Sequence, residues 1–324
     1  VKKYIGILAV MLSLGFLLAA CGDNNENGGE DGADGWVENV TILTGGENGV
    51  YFPLGVAMAE IMDENVDGVS ATGVASGASV VNSNELNDGE AEFALVQNDI
   101  AYNAHQGEKM FEEVVDGFSG VFTIYPETIQ IVTLADSGIQ TVEDLEGKRV
   151  AVGDVGSGTE ANAKQILEAH DITYDDISAE WMGFGDASTN LQDGNIDAAF
   201  VTAGTPTGSI QELAASTDIR IVSISSDKID QLEEEYPYYT REELDENTYE
   251  NFDATATTVA VQAMLVVRSD LPEDQVYELT KSIFENTEAM ENAHERGKDL
   301  TIDTAQNGMS IDLHPGAEKY YNEQ

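Results

Sequence analysis

The sequence predicts an α/β protein folded as two lobes joined by two chain crossings. Three observations predict it. Strand-like and helix-like segments alternate from residue 40 onward, the pattern of a mostly parallel sheet covered by helices. The alternation runs through twice, restarting near Ile129. Two longer β-type runs, around Ile129–Leu134 and Thr257–Arg268, stand where the chain would pass between lobes.

The first run opens with the β-branched stretch Val40–Thr44, which ends at Gly45-Gly46. A helix follows Gly49–Gly55, with Val56, Met58, Ala59, Ile61, Met62 and Val66 at helical spacing. A short strand at Val69–Val74 comes next. Ser76-Gly77-Ala78-Ser79 then leads into a helix that runs through Leu86 and stops at Asp88-Gly89. Phe93–Val96 reads as a buried strand, and Gln97-Asn98-Asp99 opens another helix. In the second run, Val142–Gly147 is a short helix with a glycine stop and Arg149–Val152 a strand. Gly156-Ser157-Gly158-Thr159 enters the helix Glu160–His170. A strand at Glu180–Met182, a helix at Ser188–Gly194, and strands at Ile196–Val201 and Ile219–Ile224 complete it. Asp230–Phe252 is acidic, tyrosine-rich and weakly periodic. After Thr257–Arg268, Asp270 with Glu273 three residues on predicts a capping-box start for a helix whose face is Val276, Leu279, Ile283 and Met290. The expected lobes are residues 38–135 with 256–324, and residues 136–255. A ligand belongs in the cleft between them, where loops after strand C-termini converge.

The first residues carry an export pattern. Lys2 and Lys3 precede an apolar run from Ile5 to Leu18, then Leu18-Ala19-Ala20-Cys21. This is the layout of a secretory signal, residues 1–20, and the run is shorter than the ~20 apolar residues a membrane span needs. The only cysteine of the chain stands at the cut, which resembles the bacterial lipobox. Lipidation of Cys21 would anchor the mature chain to the outer face of the cell membrane. Residues 22–35 are Gly, Asp, Asn, Glu and one Ala; they loosely match a calcium loop but lack flanking helices, so 21–37 reads as a flexible tether.

Composition excludes several classes. With 14 Lys+Arg against 61 Asp+Glu, the net charge of −47 is the wrong sign for a nucleic-acid binder. The 42% hydrophobic content and patterned segments argue against disorder. The acids are spread along the chain, which predicts a solvated acidic surface suited to high salt, where the Debye length falls to ~3 Å and self-repulsion is screened. The four histidines show no metal-pair spacing, and Gly153–Gly158 has neither the dinucleotide order nor a Walker lysine. No nucleophile elbow is present. No catalytic residue, metal or cofactor is expected.

Four stretches place Gly, Ser, Thr or amide residues between a strand and a helix: Thr44–Tyr51, Ser76–Ser79, Gln97–Asp99 and Ser157–Thr159. Each alone is also an ordinary N-cap. Aimed into one cleft, their unpaired N–H groups and helix dipoles would hold a carboxylate without a basic side chain.

Several motifs in order resemble the TAXI family, the solute-binding subunits of one branch of TRAP transporters. They are Thr44-Gly45-Gly46 with Gly49–Gly55; Gly77–Val80; Gly89–Asp99; Asp144–Gly153 with Gly156–Thr159; Gly194–Phe200; and Leu313–Ala317. The resemblance spans nearly all of residues 38–321. Where members often carry two tyrosines this chain has Tyr51-Phe52, so the second position offers no hydroxyl. The resemblance implies a type II periplasmic-binding-protein fold, an ion-coupled TRAP membrane permease as partner, and a small carboxylate ligand such as glutamate or 2-oxoglutarate. The expected ligand-binding set is Thr44, Gly46, Tyr51, Ser79, Gln97, Ser157, Gly158, Thr159 and Thr205. Tyr51 would cover the ligand and donate a hydroxyl bond. Ser79 and Gln97 would reach it from one lobe, Ser157 and Thr159 from the other, and Thr205 would close the far side. A lipid-anchored sensory protein on the same fold is the alternative reading.

Overall fold

The computed structural model describes residues 35–252 and 254–324. The expected signal segment, Cys21 and the tether up to residue 34 lie outside the described residues. The end of the expected tether belongs to the fold. Val37 donates its N–H to Gln275 Oε1 at 3.0 Å and accepts from Gln275 Nε2 at 2.7 Å, and Trp36 packs on the core.

The chain runs β1 (Asn39–Leu43), α1 (Tyr51–Asn65), β2 (Ser70–Val74), α2 (Ser79–Asn87), β3 (Phe93–Gln97), α3 (Asn98–Gln106) and β4 (Phe118–Leu134). Then come β5 (Arg149–Ala151), α4 (Gly158–Ala169), β6 (Ser178–Glu180), α5 (Phe184–Gln192), β7 (Ala198–Ala203), α6 (Gly208–Ala214) and β8 (Ile219–Ile221). It closes with α7 (Ser226–Glu235), β9 (Thr240–Leu244), β10 (Ala256–Arg268), α8 (Glu273–Glu285), α9 (Thr287–Ala293) and α10 (Pro315–Asn322).

Two α/β lobes share a sheet ordered β2-β1-β3-β10-β4-β7-β5-β6. β1, β2 and β3 are parallel, as are β5, β6 and β7. The long antiparallel pair β4 and β10 connects the two sets, with Phe118 opposite Arg268 at one end and Thr128 opposite Ala260 near the other. Beyond Thr128, β4 pairs with β7 and β8, and the start of β10 pairs with β9. These are the two crossings. Covered on both faces, β3 is buried at every position and apolar from Phe93 to Val96, as expected of a central strand. In α1, Leu54, Met58, Ile61 and Met62 recur at one face and are buried in the core.

β4 is irregular where it crosses. Gln262 faces Pro126 and Met264 faces Thr123, so β4 holds one more residue than β10 around Ile124-Tyr125. Such a bulge bends the strand and re-aims the side chains after it. Those side chains include Tyr125 and Glu127.

Several sequence expectations shift. β4 begins at Phe118, well before Ile129, because bulges, Gly120 and Pro126 hide its pattern. The stretch at 230–252 contains most of α7 and all of β9, each with only one or two buried apolar anchors, too few for a visible period. The strand expected at 180–182 lies at Ser178–Glu180, and the helix expected at 188–194 starts at Phe184. The capping box at Asp270 does not form: α8 starts after Pro272 without a side-chain cap, and Asp270 pairs with Arg268 instead. The chain turns at Asn286, so Met290 lies on α9.

Candidate functional site

A cavity of about 400 Å³ lies between the lobes. Its wall is built largely from helix starts: Gly49–Tyr51 at α1, Gly77–Ser79 at α2, Gln97 before α3, Ser157–Thr159 at α4 and Gly183–Asp186 at α5. The first-turn N–H groups of a helix have no intrahelical acceptor and carry partial positive charge, so the convergence gives a polar wall made of backbone. Ala78, just before α2, holds φ 66 and ψ −154, a conformation costing a non-glycine residue ~1–3 kcal/mol. Its N–H donates to Ser76 Oγ at 3.2 Å, which helps to hold that conformation.

Seven of the nine expected residues meet at this cavity: Gly46, Tyr51, Ser79, Gln97, Ser157, Gly158 and Thr159. Two do not. Thr44 is fully buried behind the wall, and its hydroxyl donates to the Val74 carbonyl at 2.7 Å. Thr205 faces Arg296, whose Nε donates to its carbonyl at 2.6 Å and whose Nη2 donates to its hydroxyl at 3.0 Å. The hydroxyl roles also differ from expectation. Ser157 Oγ accepts from the Glu160 N–H at 3.1 Å as an N-cap, and Ser79 Oγ accepts from the Gln97 N–H at 3.1 Å. Tyr51 donates its hydroxyl to Glu127 Oε1 at 2.5 Å rather than holding it free.

Glu127 is the residue that sequence reasoning missed. It is 2% exposed, lines the cavity, and receives a long 3.5 Å contact from Gln97 Nε2 at its other oxygen. Burial pushes its pKa up to about 8; Tyr51 and Gln97 pull it down and Asp99 pushes it further up. Burial likewise drives the Tyr51 hydroxyl well above its ordinary range, with Glu127 adding to the shift. Gln97 Oε1 is buried and has no hydrogen-bond partner. Three more carboxylates line the cavity: Asp154, Asp186 and Glu212. Partial burial raises the Asp154 pKa, and Asp186 reinforces it. Among the described residues lining the cavity there is no lysine, arginine or histidine.

The lobes touch beside this space. The N–H groups of Val80 and Val81 on α2 donate to the Gly156 carbonyl at 3.2 and 3.3 Å. Asn162 on α4 donates to Asp99 Oδ2 at 2.8 Å and to the Tyr239 hydroxyl at 3.2 Å, and Tyr239 donates to Gln165 Oε1 at 2.7 Å. Asp99 is fully buried, and that burial raises its pKa to about 7 against the pull of Asn162. Gly158 meets Gln97 so closely that a Cβ there would stand 1.7 Å from Oε1 and displace the Gln97 amide.

Among the described residues no group of three or more His, Cys, Asp or Glu is arranged to hold a metal ion, and no helix is long and apolar enough to cross a membrane. His170, His294 and His314 each engage a ring nitrogen in a local backbone hydrogen bond.

The model of the NMT1-like family matches residues 42–324. Solved structures share the fold at low identity. The periplasmic aliphatic sulphonate binding protein SsuA from Escherichia coli matches at 16% identity and TM-score 0.51, over 89% of this chain and 84% of its own. PhnD1 from Prochlorococcus marinus (MIT 9301), in complex with methylphosphonate, matches at 9% and 0.53, over 88% and 96%. A protein from Bordetella bronchiseptica RB50 matches at 18% and 0.54, over 89% and 82%. The architecture is therefore the two-lobed α/β fold of periplasmic solute-binding proteins.

Proposed function

The chain belongs to the NMT1-like family, and from that premise we propose that it is an extracytoplasmic solute-binding protein that captures a small carboxylate and hands it to a membrane transporter. One observation carries the reading: an interlobe cavity of about 400 Å³ whose wall is built largely from five helix starts. That volume suits one small solute. Backbone N–H groups hold its carboxylate, Gly158 and Thr159 from one lobe and the start of α1 from the other, and hinge motion at the β4 and β10 crossings opens the cleft. We take residues 38–135 with 256–324 as one lobe and 136–255 as the other, with the crossings inside β4 and β10. On this reading the site binds its ligand and does not turn it over, as in the solute-binding proteins whose fold it shares. The TAXI resemblance makes the partner an ion-coupled TRAP permease, with glutamate or 2-oxoglutarate as first candidates, and the lipobox-like Cys21 supplies the anchor.

A thermal-shift screen of the unlipidated protein in high salt tests the reading. Its panel holds amino acids, dicarboxylates, sulfonates, phosphonates and sugars. A ligand at 100 times its Kd adds ~2.7 kcal/mol and moves the melt visibly. A shift with a carboxylate is expected. A shift confined to sugars, or none with any compound, would overturn the carboxylate reading.

A further inference from the structure

On the binding-protein reading proposed above, the charge around the cavity sharpens the ligand class. Glu127, Asp154, Asp186 and Glu212 line the cavity, and no cationic side chain among the described lining residues opposes them. The groups facing Glu127 are Tyr51 from α1, Gln97 from β3, Tyr125 beside it on β4, and Asp99 at longer range. None is a cation. Arg296 acts on Tyr125 from behind and spends its guanidinium on Thr205 and Asp299.

A second observation points the same way. Gln97 lines the cavity, and its Oε1, on a side chain only 2% exposed, is packed against Gly158 with no donor of the protein bonded to it. A buried acceptor left unpaired is costly, and a turn of the Gln97 amide toward the cavity would let a ligand donor complete it. Glu127 and the turned Gln97 amide present acceptors beside the exposed carboxylates Asp154, Asp186 and Glu212, and a cation on the ligand is the partner that lets the buried Glu127 ionise. That combination favours N–H donors carrying positive charge, and it penalises each further negative charge on the solute.

We infer that the cavity takes a solute with a protonated amine and no net negative charge, its amine received by Glu127 and Gln97 and its carboxylate by the helix starts. Neutral and basic amino acids and 4-aminobutyrate fit this description. Glutamate, 2-oxoglutarate and other dicarboxylates, the first candidates by resemblance, fit it poorly.

Calorimetric titration of the purified protein with glutamine, glutamate and 2-oxoglutarate tests this. These share a five-carbon skeleton and carry net charges near 0, −1 and −2. Lysine, 4-aminobutyrate and the diamine putrescine complete the set. A neutral or basic amine-bearing member is expected to bind at least tenfold more tightly than glutamate, with 2-oxoglutarate weakest. Glu127→Gln should lower that binding about tenfold or more and flatten the order. Asp186→Asn, at an exposed position, should lower it about threefold and serves should Glu127→Gln fail to fold. Glutamate or 2-oxoglutarate as the tightest ligand would overturn the inference and leave the carboxylate reading standing. Putrescine as the sole ligand would uphold the amine end and overturn the carboxylate reading. Failure of every amine-bearing compound to bind would overturn the inference, and a melt shifted by some other carboxylate would then preserve the broader function.

Discussion

Two carboxyl groups are buried where the lobes meet, and their partners lie on opposite sides of the cleft. Glu127 is held by Tyr51 and Gln97, which belong to α1 and β3 on its own side. Asp99, at the start of α3, is held by Asn162 on α4 across the cleft. Burial raises both, to about 8 and about 7. The difference is in what hinge opening does to them. Parting the lobes leaves the Tyr51–Glu127 bond intact, whereas it removes the partner of Asp99 and exposes it to water. On the proposed reading Glu127 belongs to ligand recognition, and Asp99 reports closure.

The largest effect that separates them is on pH. A carboxyl whose folded pKa is raised contributes stability that is fully present below its unfolded value of ~4 and is lost as pH rises through the folded value. For Glu127 and Asp99 the losses fall between ~4 and about 8 and about 7 respectively. Melts in molar salt, where surface repulsion is screened, should decline from pH 5 to pH 9. Glu127→Gln should remove the part nearest pH 8. Asp99→Asn should leave that part and flatten a different readout, the growth of the radius of gyration above pH 7 as the ligand-free lobes part. A radius that grows with pH equally in Asp99→Asn would break the contrast.

Next in size is Gly158→Ala. The added Cβ would lie 1.7 Å from Gln97 Oε1, so the Gln97 amide must swing into the cavity, into space the ligand would take. Overpacking of this kind costs ~1–3 kcal/mol, all of it in the closed form, so ligand affinity should fall roughly 10–100-fold. The melt of the ligand-free protein should move little above pH 7, where the lobes part. A large loss of ligand-free stability would place the clash in the resting state instead.

Tyr51→Phe acts on Glu127 alone. It leaves a buried carboxyl oxygen without its donor, a loss of ~1–3 kcal/mol. The Asp99 contacts are untouched, so the radius against pH should match the parent while the stability near pH 8 drops. A changed radius profile would show that the two carboxyls are coupled.

Local sequence made part of this contrast legible and hid the rest. The alternation of strands and helices, and the glycine and serine starts of α1, α2 and α4, are local features, and the structure gathers seven of the nine expected residues at one cavity. Thr44 and Thr205 have the right residue type and turn position, but their side chains turn to Val74 and Arg296, which only the fold brings near. Glu127 was hidden twice. The bulged, proline-containing half of β4 has no clean period, and one acid among 61 Asp+Glu carries no signal. A retrospective cue exists: Glu127 sits between Pro126 and the apolar run at Ile129, where an acid is expected to be solvated unless it has a partner. The start of α5 was missed because Gly183-Phe184-Gly185 reads as a loop, although Phe184 and Asp186 end up at the cavity.

The smallest expected effect asks whether hydroxyls or backbone hold the carboxylate. Ser157 Oγ already accepts from the Glu160 N–H, so its lone pairs cap α4. Ser157→Ala should cost ~1 kcal/mol of stability through the lost cap, visible as a melt lowered by a few degrees. Affinity should stay within about threefold, a change of ~0.7 kcal/mol or less, because the N–H groups of Gly158 and Thr159 remain in place. A tenfold loss of affinity with an unchanged melt would mean that the hydroxyl leaves its cap for the ligand. Recognition by α4 would then rest on a side chain, as it does at Glu127, and not on the helix start.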